Sequence, residues 1–278
     1  MKVRFSKMHG AGNDFVMIDD RAGKFPAERR VLAAIGARQT GVGCEGIILV
    51  MKSESADFRM RFFNPDGSEA ELCGNGARCV AAFAREIGAV TSDKMRFETL
   101  AGEVSAEIIR PSTAQPLNRL TAQLVRVSLP DPKDLRPDFV NSGVPHKIVP
   151  VDDLAHVDVE GEGRRIRYSS EFAPAGTNVD FVTYCRPSCA DIRTYERGVE
   201  AESGACGTGS VAAAVVGVAQ YGMTFPVTVR TVKGYELTID GEFDGAGFRS
   251  VTLTGPVARV FVGEIDLDAL DTDASDRR

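Results

Sequence analysis

The strongest constraint on this chain is a short phrase that occurs twice. Cys73-Gly74-Asn75-Gly76 opens an alanine-rich run (Ala77, Val80, Ala81, Ala82, Ala84), and Cys206-Gly207-Thr208-Gly209 opens another (Val211, Ala212, Ala213, Ala214, Val215). Cys206 follows Cys73 by 133 residues, and the same offset aligns much else. Residues 10–16 fall on 143–149, which sets Asn13 against His146; residues 41–46 fall on 174–179, residues 61–64 on 194–197, and Glu69 on Glu202. After a shift of one, residues 96–104 resemble 228–237. Matches in order and register at one period identify an internal duplication, two copies of one fold with one cysteine each.

Size agrees with that reading, since 278 residues exceed what a single core usually serves, and two domains of about 130 residues each are expected. Hydrophobic residues at 43% and charged residues at 26% are the balance of a globular protein. The net charge of −6, with Lys and Arg spread along the chain, argues against a nucleic-acid partner. The start lacks the apolar core of a signal peptide, and no apolar run approaches the ~18 residues needed to span a bilayer. A cytoplasmic location is therefore expected, with Cys44, Cys73, Cys79, Cys185, Cys189 and Cys206 as reduced thiols.

Residues 3–20 read as two strands about the turn Gly10-Ala11-Gly12-Asn13. Pro26-Ala27-Glu28 starts a helix with Val31, Leu32 and Ile35 at helical spacing, ended by Gly36 or Gly41. Residues 47–51 and 58–63 are strands, Asn64-Pro65-Asp66-Gly67-Ser68 is a turn, and the first Cys-headed helix runs to about Gly88. Residues 95–109 and 120–129 are β in character, separated by 111–118; the second copy has strands near 140–150, 179–184, 192–195, 227–232, 235–240 and 251–254. The acidic stretch 152–162 reads as poor in helix, and the tail from 271 as charged and frayed. The fold class is α+β: two pseudo-symmetric lobes, each a sheet wrapped around a central Cys-headed helix. The expected lobes are 1–115, with 264–278 a candidate to complete it, and 116–263, the active site lying in the cleft between them.

The repeated phrase has a chemistry. A helix N-terminus leaves about four backbone N–H groups unpaired and carries roughly half a positive charge, and glycines there let the backbone approach a carboxylate closely. A thiolate in that position is favoured by the same field, below the ~8.5 of a free thiol. Two such turns on one cleft would set a thiol on each side of an α-carbon. One thiolate removes the α-proton, the opposite thiol returns a proton to the other face, and the helix N–H groups hold the enolate-like charge. No pyridoxal lysine and no metal is required. A single cysteine at a glycine turn is more often a small buried residue than a catalyst, but two at matching repeat positions reverse those odds. The other four cysteines read as packing, and Cys185 and Cys189 are too widely spaced for a Cys-x-x-Cys zinc knuckle.

Met8-His9-Gly10-Ala11-Gly12-Asn13-Asp14-Phe15, Phe63-Asn64-Pro65-Asp66-Gly67-Ser68, Cys73-Gly74-Asn75-Gly76-Ala77-Arg78-Cys79, Gly143-Val144-Pro145-His146, Tyr195-Glu196-Arg197-Gly198 and Ala205-Cys206-Gly207-Thr208-Gly209 together resemble the diaminopimelate epimerase family, from residue 8 to about 260. The resemblance implies a PLP-independent isomerase, without cofactor or metal, that interconverts LL- and meso-2,6-diaminoheptanedioate for lysine and peptidoglycan synthesis. It also implies two similar lobes and a homodimer, with no membrane or nucleic-acid partner. Carried over by position, Cys73 and Cys206 resemble the two acid/base thiols, and Gly74, Asn75, Gly207 and Thr208 the cradle of the reacting carboxylate. Asn13, Asn64, Asn178, Glu196 and Arg197 match substrate-contacting positions, and His146 and Glu196 match positions that tune the thiols. The chemistry suits a substrate with an amino acid at each end: Arg197 offers a forked donor to the distal carboxylate, and Asn carbonyls and Glu196 can accept from an ammonium. On residue type alone Asn13 and Asn64 suit turns, Glu196-Arg197 a surface pair, and His146 a satisfied core histidine.

Two positions depart from the pattern: some members have Asn where this chain has Val144, and Gln where it has Gly46. The distal end of a substrate must then be held partly by other groups. Proline racemases, hydroxyproline epimerases and phenazine-biosynthesis-type isomerases share the architecture. Both cysteines disfavour the last, and Asn64, Asn178 and Arg197 favour a long, doubly zwitterionic substrate over proline. A thiol-rich protein that binds zinc or senses redox state is the reading from another class, and the scattered cysteine spacing argues against it.

Overall fold

Both cysteine-headed runs are helices, and each is buried over most of its length. Such a helix has no solvent face to spare, so protein must surround it on all sides, and the small residues let the surrounding strands close in. The computed structural model describes residues 1–109, 122–185 and 187–272. They form two units: Met1–Val127 with Pro256–Arg278, and Ser128–Gly255.

In the first unit the order is β1 (Lys2–Gly10), β2 (Asn13–Asp19), α1 (Arg29–Gly36), β3 (Gly46–Met51), β4 (Phe58–Phe63), β5 (Glu69–Ala70), α2 (Gly74–Glu86), β6 (Lys94–Thr99), β7 (Gly102–Ile109) and β8 (Ala122–Ser128). β1 pairs with β2 antiparallel, β2 with β3 parallel, β3 with β4 antiparallel, β4 with β6 parallel, and β6, β7 and β8 follow antiparallel. β3 is Gly-Ile-Ile-Leu-Val-Met, apolar throughout because both of its faces are covered. Ile47 and Leu49 join the core under α1 with Val31, Leu32 and Ile35, whereas Ile48 turns to Gly76 of α2. α2 is buried from Gly74 to Ala84 and packs against β1, β2, β3 and β7.

The second unit repeats the plan. It contains β9 (Lys133–Arg136), β10 (Phe139–Asn141), β11 (Pro145–Pro150), α3 (Val159–Arg167), β12 (Asn178–Cys185), β13 (Cys189–Glu196), β14 (Ala201–Ser203), α4 (Gly207–Gln220), β15 (Val227–Thr231), β16 (Glu236–Phe243) and the start of β17 (Phe248–Asp266). β11 pairs with β12 parallel, β12 with β13 antiparallel and β13 with β15 parallel, as β2, β3, β4 and β6 do in the first copy. Phe58 lies opposite Phe97 there and Cys189 opposite Thr228 here, at equal separations along the chain. Even the edge strands match: Arg61 on β4 is paired with Glu69 on β5, and Arg193 on β13 with Glu202 on β14, each at 2.7 Å. α4 packs against β10, β11, β12, β13, β15 and β16.

The unit boundaries differ from the expected 115/116 and 263/264. The segment expected to hold the crossing lies outside the described residues. β8 stays with the first unit because it pairs with β7, Leu124 opposite Ile109 and Val127 opposite Ala106. Residues 257–266 of β17 belong there because they pair with β1, from Gly10 opposite Val257 to Lys2 opposite Asp266. α1 begins at Arg29, three residues after Pro26, with Glu28 as N-cap. The stretch 152–162, read as poor in helix, contains a 3₁₀ turn (Leu154–His156) and the start of α3. Gly161 and Gly163 disguise α3 in the sequence; Asp158 caps it, accepting from the Gly161 N–H at 2.9 Å, and Val159 is buried beneath it. The predicted tail overlaps 273–278, which lie outside the described residues. Among the described residues no helix is long and apolar enough to cross a membrane.

Candidate active site

Cys73 and Cys206 do the same structural job. Each is the N-cap of its helix, with extended backbone (φ −129°, ψ 120° for Cys73; φ −100°, ψ 112° for Cys206). Each sulfur accepts a hydrogen bond from the N–H three residues on, Gly76 at 3.4 Å and Gly209 at 3.3 Å. Serine, threonine and aspartate usually fill this role. A sulfur there sits at the positive end of the helix, half-buried. The two caps are therefore equivalent in geometry, each with a thiol at its rim.

In the first unit, β1 and β2 bring Asn13 to the cap. Cys73 Sγ lies 3.8 Å from Asn13 Oδ1, which accepts from the thiol, and Asn13 Nδ2 donates to Glu45. Gly74 and Asn75 open the helix, and Arg78, one turn on, reaches back beneath them: Nη1 donates to the Gly74 carbonyl at 3.3 Å and Nη2 to Asn75 Oδ1 at 2.7 Å. Asn75 is buried, so its side chain braces the turn while its backbone faces the cap. Asn64 stands in the turn after β4, where Nδ2 donates to Ser68 Oγ at 3.1 Å.

In the second unit, the parallel pairing of β11 with β12 sets His146 beside Asn178 and Ile148 beside Asp180. His146 Nδ1 is 2.6 Å from Asp180 Oδ2, and His146 Nε2 is 3.0 Å from Thr208 Oγ1. Thr208 Oγ1 is in turn 3.4 Å from Cys206 Sγ. A carboxylate can only accept, so Nδ1 donates to Asp180, and Thr208 Oγ1 links His146 Nε2 to the Cys206 sulfur. The result is a continuous path of hydrogen bonds from Cys206 through Thr208 and His146 to Asp180. Thr194 Oγ1 donates to the other carboxylate oxygen of Asp180 at 2.7 Å. Gly209 makes room for Asp180: a Cβ on it would stand 2.5 Å from Asp180 Oδ1.

Asn178 has a bracing task as well. Its Nδ2 donates to the Pro145 carbonyl at 3.1 Å, and its Oδ1 accepts from the Arg197 N–H at 2.8 Å, tying the Glu196-Arg197 turn to the start of β11. Arg197 Nη1 reaches the Ala175 carbonyl at 3.4 Å. Val144 leads into β11, and Gly46, at the start of β3, is pressed by the Phe62 ring.

Burial dominates the electrostatics of the second cap. Burial pushes the Cys206 thiol well above its ordinary value, with Glu196 and then Asp180 adding to the shift; the Thr208 hydroxyl and the Gly209 N–H pull the other way and do not prevail. The expectation that a helix N-terminus favours the thiolate does not hold there. Cys44 and Cys79 are buried, and burial raises both thiols, Cys44 to about 11. Sequence reasoning missed Asp180 and Arg78. The one available signal was an acidic residue in the middle of the apolar strand Asn-Val-Asp-Phe-Val, where burial demands a partner. Among the described residues no cluster of three or more His, Cys, Asp or Glu side chains is disposed to hold a metal ion.

The model of the family described as diaminopimelate epimerase matches residues 5–117 and 139–260. The diaminopimelate epimerase of Aquifex aeolicus is 43% identical over 288 residues, covering 97% of this chain and 100% of that protein. That of Archaeoglobus fulgidus is 38% identical over 289 residues, covering 98% and 100%. Among solved structures, a Bacillus anthracis phenazine biosynthesis protein of the PhzF family superposes with a TM-score of 0.72 at 18% identity, over 96% of this chain and 99% of that one. A probable proline racemase from Agrobacterium radiobacter K84 gives 0.70 at 16%, over 98% and 95%. At such identity these two share the fold alone. With the family model matched in both copies and near-full-length relatives above 30% identity, the chain belongs to the diaminopimelate epimerase family.

Proposed function

We propose that the chain is an isomerase that interconverts LL- and meso-2,6-diaminoheptanedioate without pyridoxal phosphate, using Cys73 and Cys206 as its two acid/base groups on one α-carbon. The observation that carries this reading is the equivalence of the two caps, each a half-buried thiol bonded to the N–H of a glycine on the first turn of a buried helix. In this reading the substrate carboxylate is held by the helix starts at Gly74, Asn75, Gly207 and Thr208, whose backbone donors stabilise the charge that develops when the α-proton leaves. One sulfur takes the proton and the other gives one to the opposite face, so the centre inverts and the two thiols exchange protonation states. Asn13 holds the Cys73 sulfur in place, and the Thr208–His146–Asp180 path does so for Cys206. Asn64 and Arg197 serve the distal amino acid, with Glu196 beside Cys206. Family membership supports the choice of substrate, and the same reading carries a homodimer and a cytoplasmic location.

The test is proton NMR of the purified protein with LL-diaminopimelate in D2O, without added pyridoxal phosphate or metal, beside Cys73→Ala and Cys206→Ala. Loss of the α-proton signal with appearance of the meso isomer, abolished in both variants, is expected. Exchange from proline or hydroxyproline but not from diaminopimelate would transfer the mechanism to another substrate, and net epimerisation in either variant would overturn the two-thiol reading. Light scattering after gel filtration checks the homodimer.

A further inference from the structure

Arg78 heads the fully buried side chains by volume, with none of its surface exposed. Among the described residues no carboxylate pairs with it. Its two terminal nitrogens hold the Gly74 carbonyl and Asn75 Oδ1, and its Nε has no hydrogen-bond partner. A buried cation with an orphaned donor is costly to a fold, so its retention asks for a reason. At the repeat offset, α4 has Val211 in the same place, so central-helix packing does not require a cation there.

The surroundings supply the reason. Burial lowers the Arg78 guanidinium to about 10, so it keeps its charge at neutral pH, and the titratable groups whose charge reaches it are Cys79 and Cys73. Cys79 is buried and its thiol strongly raised, which leaves Cys73 as the site where an anion would answer the cation. Charged groups on the strands around α2 are engaged with partners of their own. On β1, Lys7 pairs with Asp14 of β2 and donates to the Gly43 carbonyl, and His9 accepts from the Gly12 N–H. On β2, Asp19 is engaged by Arg21, and on β7, Glu103 and Glu107 pair with Arg96 and Lys94. β3 and β4 turn Ile48 and Met60 toward the first turn.

We propose that Arg78 is a positioning residue for Cys73: it fixes the first turn of α2 through Gly74 and Asn75 and places in that buried turn a cation that α4 lacks, so that the anionic form of Cys73 has a support that Cys206 does not. The inference rests on the reading that these two cysteines are the acid/base pair. It favours what a two-base enzyme needs before substrate arrives, one base and one acid, and it assigns the difference to a residue that the duplication did not copy. The same clamp keeps the Asn75 side chain turned inward.

The experiment is alkylation of the full chain by iodoacetamide across a pH series without substrate, with Cys73 and Cys206 followed separately by peptide mass spectrometry, for the native protein, Arg78→Lys and Arg78→Met. In the native protein the midpoint for Cys73 should lie below that for Cys206. Removing a cation close to a thiolate should raise the Cys73 midpoint by about one pH unit or more in Arg78→Met and by less in Arg78→Lys, with Cys206 unmoved. A folded Arg78→Met whose Cys73 midpoint is unchanged, or in which both midpoints move together, overturns the proposal. If Arg78→Met does not fold, the native protein decides: Cys206 reacting at lower pH than Cys73 also overturns it. Because no substrate is present, epimerisation that survives Cys73→Ala would sink the catalytic reading and leave these midpoints to judge Arg78 separately.

Discussion

His146 and Asp180, which lie on adjacent parallel strands, meet at 2.6 Å with neither side chain exposed to solvent. Parallel pairing of β11 and β12 is what brings them together, and Thr194 satisfies the remaining carboxylate oxygen. Removing one partner of a buried pair leaves the other without compensation. Asp180→Ala should therefore lower unfolding stability by about 3–5 kcal/mol, and Asp180→Asn by less, since the amide keeps an acceptor. Urea unfolding followed by circular dichroism measures both; equal and small losses would mean that the pair is not buried as described.

Glu196 adds to the rise of the Cys206 thiol that burial begins. Neutralising it in Glu196→Gln removes a negative charge that opposes thiolate formation. The pH midpoint for alkylation of Cys206 should fall while that of Cys73 stays. A midpoint that stays put or rises would show that the Glu196 carboxylate does not oppose the Cys206 thiolate.

The serine at an N-cap is a good acceptor, so Cys73→Ser should keep the helix start and lose the chemistry. Cys73→Ala should cost about 0.5–2 kcal/mol of stability relative to Cys73→Ser, while epimerisation is abolished in both. Parallel melting curves and the D2O exchange assay separate the two effects.

Alkaline pH should destabilise the fold. Burial raises Cys44 to about 11, and burial with Asp138 raises Tyr221 to about 12; Cys206 and Tyr184 are raised as well, also chiefly by burial. A group raised in the folded state contributes nothing unfavourable below its unfolded value. Above it, the unfolded chain ionises first and is stabilised. Stability should accordingly hold through neutral pH and fall as pH rises past the ~8.5 of an unfolded thiol and then the ~10 of an unfolded tyrosine. Urea midpoints at pH 7, 9 and 10.5 check the sign.

Restoring the family's Gln at position 46 should fail. A Cβ on Gly46 would stand 2.5 Å from Phe62 Cε2 and 3.2 Å from Phe15 Cδ1. Gly46→Gln should cost about 1–3 kcal/mol by overpacking, and more activity than it gains. Gly46→Gln with Phe62→Ala should recover part of the activity; no recovery would mean that the ring is not what excludes the side chain.

Much of this architecture is legible in the chain because the duplication doubles every signal. The Cys-Gly-x-Gly phrases read as helix starts, and the sulfurs are indeed the caps; the offset that aligned Glu69 with Glu202 found two edge strands with matching ion pairs. What escaped did so for physical reasons. α3 carries glycines at 161 and 163, which lower helix propensity but are held by the Asp158 cap and by packing against Tyr195. Asp180 looks like an interruption in a strand until His146 arrives beside it from another. Arg78 reads as the polar side of a helix, and only burial on every side turns it into an interior cation. Asn178 matches a substrate-contacting position by resemblance, and the sequence did not show that its amide also ties the Pro145 carbonyl to the Arg197 N–H.

The pairing of β1 with the far end of β17 has a consequence for how the chain is made. Lys2 lies opposite Asp266, and the N-terminal ammonium is bound to Asp266 at 3.1 Å, so β1 waits for a strand more than two hundred residues further along the chain. The second unit is continuous in sequence and holds all its partners before β17 is finished, whereas the first is open along one edge until then. Synthesis should therefore order the units against their numbering, with the later one closing first and the earlier one leaving one edge of β1 open, a hazard for aggregation, until residues 257–266 emerge.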